Sequence, residues 1–144
     1  MRFSYRPYQD GDAEAINELY FRVTGRRRTL EQHSWQWLQS PAGESEMWLI
    51  EAESECGGKQ LIGHHGVMAE LFSYHGQMLL VGKTENTMVL PNFRDKLLYP
   101  KYEKAFLAQY ESRFHALFST MGPAPAIRLR KAMGYVSNHA WNVL

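Results

Sequence analysis

The apolar pattern predicts an α+β fold, a mixed and mostly antiparallel central sheet flanked by helices. Three observations carry this. Three strand-like runs between Met47 and Leu90 follow one another with only turn residues between them, and strands joined by short turns pair antiparallel. After Leu90 the period lengthens to that of a helix and then shortens again at Ala116–Ser119, a strand–helix–strand order that calls for a parallel crossover. Finally, 44% of the 144 residues are hydrophobic, enough to build a core and consistent with one domain over 1–144.

The elements follow in order. Phe3 to Tyr8 alternates as a first strand, and Gln9-Asp10-Gly11-Asp12 is a turn. Asp12 is placed to cap a helix carrying Ile16, Leu19, Tyr20 and Val23 at helical spacing, with Gly25 ending it. Thr29 and Gln32 form a capping-box pattern for a second helix to about Leu38. Ser40-Pro41-Ala42-Gly43 is a loop. Met47 to Ala52, Gln60 to Leu71 and Met78 to Leu90 are strands, separated by turns at Gly57-Gly58 and at Tyr74-His75-Gly76-Gln77. A basic loop, Asn92 to Lys96, leads into a helix from about Leu97 to Phe114. Pro125 to Met133 is a helix that stops at Gly134, and Tyr135 to Leu144 is a final strand region.

Charge and composition narrow the function. Sixteen basic and 15 acidic side chains leave a net charge of +1, without the excess that a nucleic-acid binder needs to neutralise phosphates. Cys56 is the single cysteine, so no intrachain disulfide is expected and a reducing, cytoplasmic setting is the plain reading. The stretch MRFSYRPYQDGD lacks the apolar segment of a signal peptide, and no apolar run reaches a membrane-spanning length. The six histidines show no HxH or HExxH spacing, so no metal site is expected.

The sharpest feature is the junction Thr87 to Glu103, TMVLPNFRDKLLYPKYE. A strand that delivers a basic loop into a helix N-terminus makes an anion site, because the first-turn N–H groups have no acceptor within the helix. Here V-x-P-x-F-R-x-K-x-L (Val89 to Leu98), together with A-x-x-L-x-x-x-x-G-Y (Ala126, Leu129, Gly134, Tyr135), resembles the GCN5-related N-acetyltransferase family along essentially the whole chain. The resemblance implies the acyl-CoA N-acyltransferase-like (GNAT) fold. It implies acetyl-CoA or another acyl-CoA as co-substrate, with the pantetheine arm on Thr87, Met88, Val89 and Leu90 and the pyrophosphate at Arg94, Asp95, Lys96, Leu97 and Leu98. It also implies Glu85 as general base, read from spacing as sharing a strand face with Thr87. Asp95 and Leu97 stand where the family has glycines. Arg130 stands where many members have a tyrosine acid, and a cation there can stabilise a thiolate. Pro123 stands where an asparagine is frequent.

Other residues carry two readings each. His64 and His65 point to opposite faces of their strand, so at most one of them, with Glu70, lines an acceptor cleft. Arg26-Arg27-Arg28 reads as a solvated loop or as a recogniser of an anionic acceptor. Trp35, Trp37 and Trp48 read as core or cleft wall, and Met68, Met78, Met88 and Met121 as core filler. Tyr99 and Tyr102 are candidate acids that nothing in the sequence orients. The expected activity is N-acyl transfer to a primary amine of a small molecule or peptide, in a possible homodimer. The altered loop and Arg130 keep open a catalytically impaired domain that binds CoA or acts as an interaction module, and a fold with no cofactor.

Overall fold

The computed structural model describes residues 1–110, 112–120, 122 and 124–137. Five strands form one sheet in the order β1 (Arg2–Pro7), β2 (Glu46–Glu53), β3 (Lys59–Tyr74), β4 (Gln77–Val89), β5 (Ala116–Ser119). The first four pair antiparallel and β5 joins β4 in parallel, so the expected mixed α+β sheet is present. The helices are α1 (Ala13–Thr24), α2 (Leu30–Trp37), α3 (Leu98–Tyr110) and α4 (Ala124–Ala132). Tyr135, Val136 and Ser137 have no regular structure, and the rest of the expected last strand lies outside the described residues, as do Met121 and Pro123.

Local chemistry explains most boundaries. Thr29 and Gln32 form both halves of the capping box, with Gln32 N–H donating to Thr29 Oγ1 at 3.1 Å and Thr29 N–H to Gln32 Oε1 at 2.9 Å. Gly25 ends α1 at φ 74°, and Gly134 ends α4 at φ 96° with the Tyr135 N–H on the Arg130 carbonyl and its own on Lys131, the Schellman arrangement. Asp12 precedes α1 but does not cap it. Its carboxylate instead takes both terminal nitrogens of Arg6, at 2.7 and 2.8 Å. The basic segment expected as a loop is a 3-10 helix, Pro91–Lys96, which proline starts because its fixed φ suits a helical turn. Helix α3 stops at Tyr110, short of Phe114, because Phe114 reaches the core from the turn that follows.

The sheet is covered on both faces. Trp48, Val67, Ala69, Phe106 and Phe114 pack on the α3 side, and Ile16, Trp37, Met47 and Leu49 on the α1/α2 side. Gly66 lets Trp37 lie directly on β3: a Cβ there would come within 2.2 Å of the indole. Of the methionines expected as filler, Met88 is in the core and Met68 is half-buried. Met78 is 60% exposed, because the β3–β4 hairpin runs on past its neighbours.

Candidate active site

The site is a gap opened by β4. Its parallel pairing with β5 covers only Val81–Thr84 against Ala116–Ser119, so from Glu85 onward this edge of β4 has no strand beside it among the described residues. A bulge sits at the same point. The β3–β4 register runs Gly66↔Glu85 and then His64↔Met88, and Asn86 takes φ 49°, a left-handed conformation asparagine tolerates. Two buried histidines hold the bulge. His64 Nδ1 is 2.8 Å from the Asn86 carbonyl and His65 Nδ1 is 2.9 Å from Thr87 Oγ1. Burial pushes the imidazoles down to about 4 and about 3, so both are neutral, and a carbonyl partner requires the His64 proton on Nδ1.

The backbone beyond the bulge is aimed into the gap. The Leu90 N–H donates to the Ile62 carbonyl at 2.8 Å. Bonded and non-bonded pairs alternate in an antiparallel ladder, so Val89, opposite Gly63, turns its N–H and C=O away from β3 and toward the open edge. Met88, Leu90 and Leu98 have their side chains in the core and can offer only backbone. The Val89 carbonyl already accepts from Arg94 Nε at 3.0 Å. Asp95 and Lys96 pair with each other at 3.0 Å, so the segment's basic character rests on Arg94. Leu97, 70% exposed, takes φ 50° and ψ 38° where a glycine would be unstrained. Helix α3 then opens at Leu98 with the free N–H groups of a first turn, less the one Pro100 lacks.

The bulge corrects the reading of Glu85. It lies across from Gly66 on the α2 side, whereas Thr87 bonds His65 on the α3 side, so the two residues are on opposite faces. Glu85 is held by Lys83 at 2.8 Å at the start of the open edge. His64 packs on Trp37 and His65 on Phe106, opposite faces as expected, but both are buried and neither lines a cleft. Glu70 does line one, a mainly apolar cleft of about 360 Å³ walled by Trp35, Gln36, Ser40 and Met68. Arg28 departs from the solvated-loop reading: it is half-buried, bonded to Asn17 and Gln36, and stacked on Tyr20. Tyr102 is core, against Tyr5, and the Tyr99 hydroxyl is buried without a partner near His65.

Sequence reasoning missed one cluster on the α3 side. Glu103 is fully buried in α3, and the Tyr135 hydroxyl donates to its Oε1 at 2.8 Å, while Oε2 has no described partner. Burial pushes the Glu103 carboxyl up, against the Tyr135 hydrogen bond and the charge of Arg130. The available signal was a carboxylate on the apolar stripe of α3, four residues after Tyr99 and three before Phe106.

By sequence, the chain matches no protein-family model and no curated protein. Its structure is similar to solved ones over nearly the full length. An acetyltransferase of Trypanosoma brucei superposes with a TM-score of 0.74 at 14% identity, covering 99% of each chain. A predicted acetyltransferase of Clostridium acetobutylicum, solved with acetyl-CoA, superposes at 0.75 and 15% identity, over 99% of this chain and 96% of that one. Glucosamine-6-phosphate N-acetyltransferase of Arabidopsis thaliana superposes at 0.66 and 19% identity, over 100% of this chain and 97% of that one. The order of elements, the opened β4 edge and these superpositions agree: this chain has the fold of the GCN5-related N-acetyltransferases.

Proposed function

We propose that the protein transfers an acyl group from acetyl-CoA, or another acyl-CoA, to a primary amine. The observation that carries this is the open edge of β4, where Val89 turns into the gap a peptide N–H and a C=O that also accepts from Arg94. An amide-bearing pantetheine arm pairs with such an edge as an added strand would. The first turn of α3 and the Arg94 guanidinium stand at the end of that edge to take the pyrophosphate. The acetyl-CoA held by the Clostridium acetobutylicum protein supports the same ligand class. Direct attack by the amine requires loss of its proton, and Glu85, at the inner end of the open edge, is the proposed base, acting through water. The acceptor is a small-molecule or peptide amine, and a cytoplasmic setting belongs to the same proposal; among the described residues no helix is long and apolar enough to cross a membrane.

A second reading has its own support. Arg94 occupies the Val89 carbonyl, Asp95 neutralises Lys96, and Leu97 holds a glycine-like conformation, all of which weaken the phosphate site. These favour a domain that binds CoA poorly or serves as an interaction module. Thermal unfolding with acetyl-CoA tests the cofactor, and acyl transfer to an amine separates an enzyme from a domain that only binds CoA. Binding to the native state must raise Tm, and Arg94→Glu must shrink the rise. An unchanged curve at millimolar ligand removes the acyltransferase reading and leaves an interaction module or a fold with no cofactor.

A further inference from the structure

A strip of the sheet leads from the open edge of β4 to the apolar cleft beside α2. Gly66, Met68 and Glu70 alternate onto the face of β3 that carries Trp37. Glu85 is paired with Gly66 and Lys83 with Met68, so these side chains share that face. Lys83 and Glu85 are 24% and 29% exposed, which leaves the strip open to solvent. At Met68 it enters the cleft of about 360 Å³, where Trp35, 72% exposed, and Leu71, 53% exposed, stand on the walls. Glu70 is the charged residue of that lining, half-buried, and among the described residues it is in no ion pair. Glu85, by contrast, is already balanced by Lys83 at 2.8 Å. A carboxylate drawn into apolar surroundings without a counter-ion costs free energy that an incoming cation would recover.

We propose that this cleft holds a second positive charge of the acceptor, so that the substrate class is a long diamine: two amines joined by an apolar spacer. The inference rests on the acyltransferase reading and narrows it. The amine that reacts lies beside Glu85 at the open edge, the distal ammonium pairs with Glu70, and the spacer lies over Met68. Trp35 offers the ammonium a ring face as well. Glu70 and Gly66 are four residues apart on β3, and Gly66 is opposite Glu85, so the two ends are about 13 Å apart at about 3.3 Å per residue. Diaminobutane is too short for that span, and an extended diaminooctane covers most of it. Lys83 is opposite Met68, midway along the strip, and Glu85 takes up its charge. Arg28 stands behind Gln36, with Nη1 on the Gln36 amide oxygen at 2.8 Å, and does not line the cleft. An acceptor with a distal carboxylate meets repulsion from Glu70.

The test compares diaminooctane, with an amine at each end, against octylamine, which differs only in lacking the distal one. In isothermal titration without CoA, diaminooctane is expected to bind about tenfold or more tighter, the scale of one hydrogen bond to a charged group. Diaminobutane, which cannot bridge, should bind no better than octylamine. Glu70→Gln keeps the shape of the side chain and removes its charge, and it is expected to erase the preference. In acyl transfer from acetyl-CoA the same preference should be seen in KM and not in kcat, because the distal pair is made equally in the ground and transition states. Equal affinity of diaminooctane and octylamine for the unsubstituted protein overturns the proposal, whether or not Glu70→Gln folds. A preference that survives Glu70→Gln, or diaminobutane binding as tightly as diaminooctane, overturns it too. Acetyl-CoA leaving Tm unchanged removes the acyltransferase reading and this acceptor class with it, whereas a rise in Tm without any preference among the amines removes the role of the cleft alone.

Discussion

Leu97 is a branched residue held at φ 50° with most of its side chain in solvent, so its conformation is opposed by sterics and supported by little packing. A left-handed non-glycine residue is disfavoured by about 1–2 kcal/mol, while glycine adds roughly 0.5–1 kcal/mol of unfolded-state entropy, so Leu97→Gly is expected to leave stability unchanged or raise it by up to about 1 kcal/mol in urea denaturation. Leu97→Val should lower it, and a clear loss with glycine would show that the leucine packs against something. Combined with Asp95→Gly, the same change should tighten CoA in calorimetric titration if the two side chains obstruct the phosphates. Glu85 is the other residue whose chemistry can be isolated. Once an acceptor is in hand, Glu85→Gln should slow turnover by about 10²-fold or more with CoA affinity nearly unchanged, the scale of a lost general base. Full activity in that variant would move the base elsewhere and leave Glu85 as the ion-pair partner of Lys83.

Strand β3 is shaped by what lies on it. Gly66 is opposite Glu85 at the register shift, and a Cβ there would strike Trp37, which is fully buried. Gly66→Ala is therefore expected to destabilise by about 1–3 kcal/mol through overpacking. Trp37→Phe in the same chain should recover part of the loss, a coupling that thermal unfolding of the two single variants and the double variant would measure. Additive losses would mean that the strand, not the indole, gives way. The result bears on the site, because β3 sets the bulge through His64 and His65 and the bulge decides which backbone groups of β4 face the gap.

The whole molecule carries buried neutral histidines that an unfolded chain would protonate. His64 and His65 are pushed down by burial to about 4 and about 3, while an unfolded histidine titrates near about 6.5. Below that value the unfolded state binds protons that the folded state refuses, so stability falls as pH falls, each histidine contributing at most about 1.4 kcal/mol per pH unit. Asp12 acts lower on the scale. Its hydrogen bonds to Arg6 hold its carboxyl below the usual range, so its contribution is present above the ordinary carboxylate value and is lost as pH falls through the lowered one. The decline between pH 6.5 and 5 thus belongs to the histidines. Urea denaturation across that window should show it, and His65→Met should flatten the slope by up to one proton. An unchanged slope would mean that His65 is protonated in the folded protein.

What the sequence determined by itself was local or periodic. The capping box at Thr29 and Gln32, the αL stop at Gly134 and the strand at Ala116–Ser119 depend on neighbours within a few residues, and the order of such elements was enough to predict a mixed α+β sheet. Tertiary structure alone decided the rest. The bulge at Asn86 exists only against β3, and by shifting one residue it sends Glu85 and Thr87 to opposite faces. Asp12 looked like a cap until Arg6, on the neighbouring strand, claimed its carboxylate. Glu103, on α3, and Tyr135, beyond α4, lie 32 residues apart and meet only in the fold. Periodicity tells which face of an element is apolar, but the partner that a buried charge finds is set by how elements approach in space.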